Sequence, residues 1–204
     1  MRQHVTDPYV QLAQQRGYRS RAAFKLLELD ERDHVLQPGI AAVDLGSAPG
    51  SWSQVLRERL GRGSRIVATD ILPMDGMTGV RFVQADFTTL EGLAAVEAAL
   101  DGEPVALVVS DMAPNLSGID AVDQARSVHL GELALEFAAN HLQPGGDFIV
   151  KVFQGAGLAE FEQAVRRHFA KVYLRKPKAS RDRSREMFVV AKGRKGDRPS
   201  DSRP

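Results

Sequence analysis

Val43-Asp44-Leu45-Gly46-Ser47-Ala48-Pro49-Gly50-Ser51-Trp52 runs a short apolar strand into a glycine turn and out into a helix. The strand opens at Ala41, and the helical pattern behind the turn covers Trp52–Leu60. Apolar runs recur at 65–70, 80–86, 104–111, 147–153, 172–174 and 186–191. Runs that are continuously apolar, rather than alternating, mark strands buried on both faces of a parallel sheet. Helical spacing fills the gaps. Leu93, Val96 and Leu100 share one face, as do Leu130, Leu133, Phe137 and His141, and again Leu158, Phe161, Val165 and Phe169. Upstream, Asp7-Pro8 reads as an N-cap followed by proline at the first helical position, and Ser20 is expected to cap a helix over Arg21–Leu29. Gln37-Pro38-Gly39 and Gln143-Pro144-Gly145-Gly146 read as turns. Strands alternating with helices predict an open α/β fold, a mostly parallel sheet with helices on both faces. Ligands of such sheets sit at the carboxyl ends of the strands.

The chain has 204 residues, of which 43% are hydrophobic and 26% charged, which suits one globular domain. That domain is expected over residues 1–192. Residues 193–204 carry no large apolar side chain and are expected to form a disordered polar tail. No apolar run approaches the ~20 residues that span a bilayer. Residues 1–7 lack the apolar stretch of a secretory signal, so a cytoplasmic protein without membrane association is expected. With no cysteine, disulfides, thiol nucleophiles and Cys-based metal sites are excluded. The net charge of +1 hides a pattern. Residues 1–25 carry five Lys/Arg against one acid, and 171–195 carry ten against two, while 26–170 carry ten against 21. Basic ends on an acidic body suggest a polyanion at the ends and a different, cationic ligand in the body; a solvated surface with a basic tail would look the same.

Four acids, Asp44, Asp70, Asp86 and Asp111, fall at or near strand carboxyl ends. Gly46 after a buried strand allows close approach of a ligand to the backbone. Asp70 stands 24 residues beyond Gly46, near the ~20 expected of an acid that grips ribose hydroxyls. The G-x-G-x-x-G fingerprint of dinucleotide binding is absent, as is the P-loop signature. A nucleoside cofactor without a pyrophosphate remains, and S-adenosyl-L-methionine, with its positive sulfonium, suits an acidic pocket. Ser110-Asp111-Met112-Ala113-Pro114-Asn115 would form the loop beside the acceptor atom, and its lack of an aromatic residue favours a hydroxyl over a base nitrogen. Lys151 lies inside an apolar strand. It is either a desolvated amine able to act as a base, or a strand-end lysine whose stem reaches solvent. The basic stretches 16–25 and 175–186 could grip phosphates, with Tyr18 available to stack a base. Trp52, beside the glycine turn, reads as packing or as a cofactor contact. The five histidines show no metal-ligand spacing, so no metal site is expected.

In these stretches the chain resembles the FtsJ-type ribosomal RNA large-subunit (23S) uridine 2′-O-methyltransferases. The resemblance runs through Arg19–Leu26, Val43–Gln54, Asp70–Asp75, Ser110–Asn115, Val150–Gly155, Arg175-Lys176-Pro177 and Ser184-Arg185-Glu186. It implies a Rossmann-like, S-adenosylmethionine-dependent methyltransferase fold. It also implies a catalytic tetrad on Lys25, Asp111, Lys151 and Glu186. Cofactor contacts are implied at Gly50, Trp52, Asp70, Asp86 and Asp111, with Gly46 at the same turn. The implied reaction is methylation of a uridine ribose in large-subunit ribosomal RNA, on the assembled 50S subunit, by a monomer. In this reading Lys151 is the base, eased towards losing its proton by neighbouring Lys25, with Asp111 orienting it and Glu186 holding a lysine or the ribose. Many members carry a second glycine beside position 50, where this chain has Ser51. Two other readings stay open: 2′-O-methylation of another RNA such as transfer RNA, and a non-catalytic ribosome-assembly factor on the same fold.

Overall fold

A computed structural model describes residues 7–181 and 183–196. In chain order the elements are α1 (Pro8–Arg16), α2 (Ala23–Asp33), β1 (Ala42–Leu45), α3 (Ser51–Leu60), β2 (Ile66–Asp70) and β3 (Arg81–Gln84). Then follow α4 (Leu90–Leu100), β4 (Val105–Ser110), α5 (Asp120–His141), β5 (Leu142–Phe153), α6 (Leu158–His168), β6 (Phe169–Arg175) and β7 (Glu186–Arg194). The seven strands form one sheet in the order β3-β2-β1-β4-β5-β7-β6. The first five positions in that order are parallel neighbours, and β7 is antiparallel to both β5 and β6. This is the mostly parallel α/β sheet that the alternation of patterns predicts.

The strands bury both faces. Val43, Leu45, Val108, Phe148, Val150 and Val189 pack beneath α4, α5 and α6. Ala42, Leu107, Val109, Ile149, Phe188 and Val190 pack beneath α1, α2 and α3. Burying one side chain such as Phe148 or Phe188 contributes about 2–3 kcal/mol. The period of two also sorts the polar residues: Asp44, Asp111, Lys151 and Glu186 share parity with the set that faces α1–α3.

Asp7 does cap α1, its Oδ1 accepting the Tyr9 N–H at 3.0 Å, and Gly17 closes the helix in the left-handed conformation at φ 73°. Ser20 is not the N-cap of α2. Ala23, Phe24 and Lys25 donate to the carbonyls of Ser20, Arg21 and Ala22, a tighter 3₁₀-like lead-in, so the α-helix begins at Ala23. Ser20 Oγ instead accepts the Ala22 N–H at 3.2 Å and meets Ser51 Oγ at 2.6 Å. Residues 143–146 are not a free turn either. They lie within β5, where Val105 pairs with Leu142 and Leu107 with Asp147, so the extra residues bulge out of the ladder. Regular structure also passes the expected boundary at 192. β7 continues to Arg194, and the Lys195 N–H donates to His168 O at 2.8 Å. Residues 197–204, the rest of the expected tail, lie outside the described residues, as do 1–6.

Candidate active site

Four chain segments meet at the carboxyl end of β4 and β5. In the antiparallel β5–β7 pair Lys151 stands opposite Phe188, which puts Glu186 on its diagonal and on the same face. Asp111 leaves β4 one residue after Ser110, the partner of Val150. The first turn of α2 brings Lys25 over all three. The Lys151 ammonium lies 3.0 Å from Asp111 Oδ1 and 3.7 Å from Glu186 Oε1. The Lys25 ammonium lies 3.0 Å from Glu186 Oε2 and 3.8 Å from Asp111 Oδ1. Two close ion pairs are thus joined by two looser ones into a ring in which ammonium and carboxylate alternate. Lys151 also donates to the Asp111 carbonyl at 2.7 Å. Its side chain is 5% exposed and that of Lys25 10%, so Lys151 does not snorkel to solvent. Nor does bare repulsion join the two lysines, since a carboxylate stands between them on each side. Burial would push the Glu186 carboxyl up, but Lys25 and Lys151 outweigh it and hold it below the ordinary range.

On one side of Asp111 a cleft of about 460 Å³ opens at the strand ends. Gly46, Asp70, Asp86 and Asp111 line it, together with Met112, Ile71 and Leu72. Asp70 is fixed by its own neighbours: Oδ2 accepts the Ala48 N–H at 2.9 Å and Oδ1 the Leu72 N–H at 2.8 Å. Asp86 Oδ1 accepts from the Thr88 N–H at 3.0 Å and its hydroxyl at 2.6 Å. The loop behind β4 is set by Asp123, whose carboxylate accepts from the Ser117 N–H and hydroxyl, both at 2.7 Å, and from the Gly118 N–H at 3.2 Å. Asp44 Oδ1, Ser47 Oγ and Ser110 Oγ are buried at these strand ends with no hydrogen bond among the described residues. A polar, nucleoside-sized ligand fits a cleft of this volume with three carboxylates on its wall.

On the other side of the tetrad lies a pocket of about 420 Å³ lined by Ser20, Arg21, Lys25, Arg181, Arg183, Ser184 and Glu186. Its outer wall is held to α2 by Glu28, which accepts the backbone N–H groups of Lys178 and Ala179 at 2.6 and 2.9 Å. Arg21 braces the same wall through Asp7 and the Ala179 carbonyl.

Two residues singled out in the sequence fall elsewhere. Trp52 is 2% exposed, donates its indole N–H to Ala22 O at 2.9 Å and packs against Phe188. Its side chain belongs to the core and does not line the cleft. Gly50 does not line the cleft. Its φ of 107° and the crowding of Arg19 and Met74 explain the glycine. At Gly46, φ is 77° and an added Cβ would lie 2.3 Å from Met112 Cγ, so packing within the protein demands glycine there too. Much of the basic composition is also used internally. Arg175 pairs with Asp33 at 2.6 Å and stacks on Tyr173, and the Tyr18 hydroxyl donates to Glu58 at 2.7 Å.

Asp44 sits beneath the cleft, fully buried, accepting the Ser53 hydroxyl at 2.6 Å. Burial pushes its carboxyl up to about 7; the Ser53 bond opposes this, while Asp111 and Asp70 add to it. The folded chain therefore holds a proton that the unfolded chain gives up near pH 4. Stability from this group falls as pH rises from about 4 towards 7 and levels off beyond. Asp44→Asn should remove that slope, so the Tm of the wild type relative to the variant declines across the window. A difference flat with pH would mean that the Asp44 carboxyl is no harder to ionise in the folded chain than in the unfolded one.

The sequence signature of the FtsJ-like methyltransferases matches residues 18–194, nearly the whole described chain. The chain belongs to the FtsJ-like methyltransferase family. Among its relatives is the ribosomal RNA large subunit methyltransferase E of Azoarcus sp. strain BH72, 58% identical over 190 residues that cover 93% of each chain. The Pseudomonas aeruginosa PAO1 protein of the same name is 50% identical over 197 residues, 97% of this chain and 95% of that one. A Plasmodium falciparum structure, provisionally described as a ribosomal RNA methyltransferase, superposes with a TM-score of 0.76 at 29% identity, over 88% of this chain and 100% of that one. Membership makes this sheet a methyltransferase fold and the chain a methyltransferase.

Proposed function

We propose that this family member transfers a methyl group from S-adenosylmethionine to the ribose 2′-hydroxyl of a uridine in large-subunit (23S) ribosomal RNA, acting on the assembled 50S subunit. One observation carries the reading: the ring of two lysines and two carboxylates stands between an acid-lined cleft and a basic pocket. The acidic side suits a positively charged nucleoside, and the basic side suits a phosphodiester strand. The substrate class is supported by relatives named for large-subunit ribosomal RNA at 50% and 58% identity.

Asp70 and Asp86 would hold the cofactor's polar groups, with Gly46, Asp111 and Met112 shaping the rest of its site. When bound, S-adenosylmethionine supplies an electrophilic methyl group on a sulfonium. The acceptor hydroxyl is a weak nucleophile until its proton leaves, and Lys151 Nζ is the group assigned to take it. With both lysines protonated, the tetrad is charge-balanced. To accept the hydroxyl proton Lys151 must stand as the neutral amine, its own proton already released to solvent. Asp111 orients Lys151 through its carboxylate and carbonyl. Glu186, held by Lys25, steadies both lysines from the side of the basic pocket. A cleft for the donor and a pocket for the acceptor that meet at the tetrad would bring the reacting atoms together and make the reaction an oriented, effectively unimolecular step.

The test is to incubate the protein with methyl-labelled S-adenosylmethionine and, in parallel, unmodified large subunits, naked ribosomal RNA and transfer RNA, then digest each to nucleosides. Label is expected in 2′-O-methyluridine from the subunits. Label confined to transfer RNA would replace the substrate. Label nowhere, with the cofactor still bound, would favour the assembly-factor reading.

A further inference from the structure

Arg19 lies in the basic stretch whose composition suggests phosphate contacts, yet its guanidinium is directed at the protein's own backbone. Nη1 donates to Pro49 O at 3.0 Å and Asp75 O at 2.9 Å, and Nη2 donates to Gly76 O at 3.1 Å. Its own N–H donates to Gln54 Oε1 at 2.7 Å, and Gln54 Nε2 donates in turn to Gly17 O at 2.9 Å, so the base of the side chain is pinned as well. The fit is close, because a Cβ on Gly50 would lie 2.6 Å from Arg19 Nη1.

The two segments that Arg19 joins are the glycine turn and the loop behind β2. Both border the cleft, at Ala48 on one side and Ile71 and Leu72 on the other. Asp70 joins the same two from inside, through Ala48 and Leu72. The loop has little apolar anchorage of its own, since Ile71 and Leu72 are 61% and 59% exposed. Its placement therefore depends on polar fasteners. Arg57 holds the far end through Gly79 O at 3.2 Å. Asp70 holds the near end, and Arg19 holds the middle.

We propose that Arg19 is a positioning residue for the cofactor cleft, an outer clasp that keeps residues 71–76 against the glycine turn. The inference rests on the reading of the cleft as the S-adenosylmethionine site. A guanidinium reaches three carbonyls at once through its planar fork. A lysine ammonium keeps the charge but not that span.

The experiment measures S-adenosylmethionine binding by calorimetry for the wild type, Arg19→Ala and Arg19→Lys, with the affinity for a ribosomal RNA fragment, Tm and hydrogen exchange of residues 71–79 in parallel. Both variants should bind the cofactor roughly tenfold more weakly or worse, the equivalent of one lost charge-assisted hydrogen bond. The KM for the cofactor should rise with it, while kcat at saturation and RNA affinity stay near wild type. Exchange in 71–79 should quicken in both. Unchanged cofactor affinity in Arg19→Ala overturns the proposal, as does Arg19→Lys behaving as wild type. Loss of RNA affinity with cofactor affinity intact would make Arg19 a phosphate contact instead. A wild-type protein that does not bind S-adenosylmethionine would overturn the reading of the cleft itself, a separate failure seen before any variant is compared.

Discussion

Lys151→Ala should lower the rate of methyl transfer by roughly 10²- to 10⁴-fold, the range for loss of a general base, with S-adenosylmethionine affinity nearly unchanged. Affinity should survive because Asp70 and Asp86 take their positions from the Ala48, Leu72 and Thr88 backbone, not from the tetrad. The alanine variant also leaves Asp111 and Glu186 sharing Lys25 alone. Breaking a buried pair in this way costs about 3–5 kcal/mol, towards the lower end here because both carboxylates keep some contact with solvent. Lys151→Arg separates the two effects. It keeps a positive charge between the carboxylates and should recover much of the Tm, yet a guanidinium cannot give up its proton near neutral pH. It should be as inactive as the alanine variant. A Lys151→Arg protein with near-wild-type kcat would show that position 151 supplies charge rather than a proton acceptor.

Gly92→Ala, an exchange that elsewhere in a helix would stabilise by about 1 kcal/mol, should here destabilise. A Cβ at position 92 would lie 1.8 Å from the Asp86 carbonyl oxygen and 2.4 Å from its carbon. These are backbone atoms of the turn that Thr89 builds at the start of α4, accepting the Gly92 N–H at 3.1 Å and donating its hydroxyl to Asp86 O at 2.8 Å. The turn must open or the helix must back away, and such overpacking costs about 1–3 kcal/mol or more. At about 2–4 °C per kcal/mol for a chain of this size, Tm should drop by roughly 2–12 °C. Asp86, Phe87 and Thr88 line the cleft, so weaker S-adenosylmethionine binding should accompany the loss. A melting curve that stays level or rises would rule out the clash.

The alternation of apolar runs and helical faces was legible in the sequence because it rests on local periodicity, and it predicts the α/β sheet that the structure has. Asp70, Asp86 and Asp111 were legible as strand-end acids for the same reason, and all three line the cleft. Lys151 stood out as a charge inside an apolar run. Lys25 and Glu186 had no such signal and were pointed to only by resemblance. Their place beside Lys151 depends on β7 entering the sheet antiparallel to β5 and on α2 crossing the same face. Composition misdirects where a side chain finds a partner distant in sequence. Trp52 satisfies its N–H on Ala22, Arg175 meets Asp33, and Arg19 clasps three carbonyls instead of a phosphate. Ser20 looks like a cap, yet its hydroxyl meets Ser51 while a 3₁₀ turn delays the helix. Periodicity and strand-end chemistry are properties of a few consecutive residues, so the sequence alone determined the layers, the strand ends and the acids on them. Which lysine meets which carboxylate, and which glycine has no room for a methyl group, depend on contacts between segments far apart in the chain, which no local pattern records.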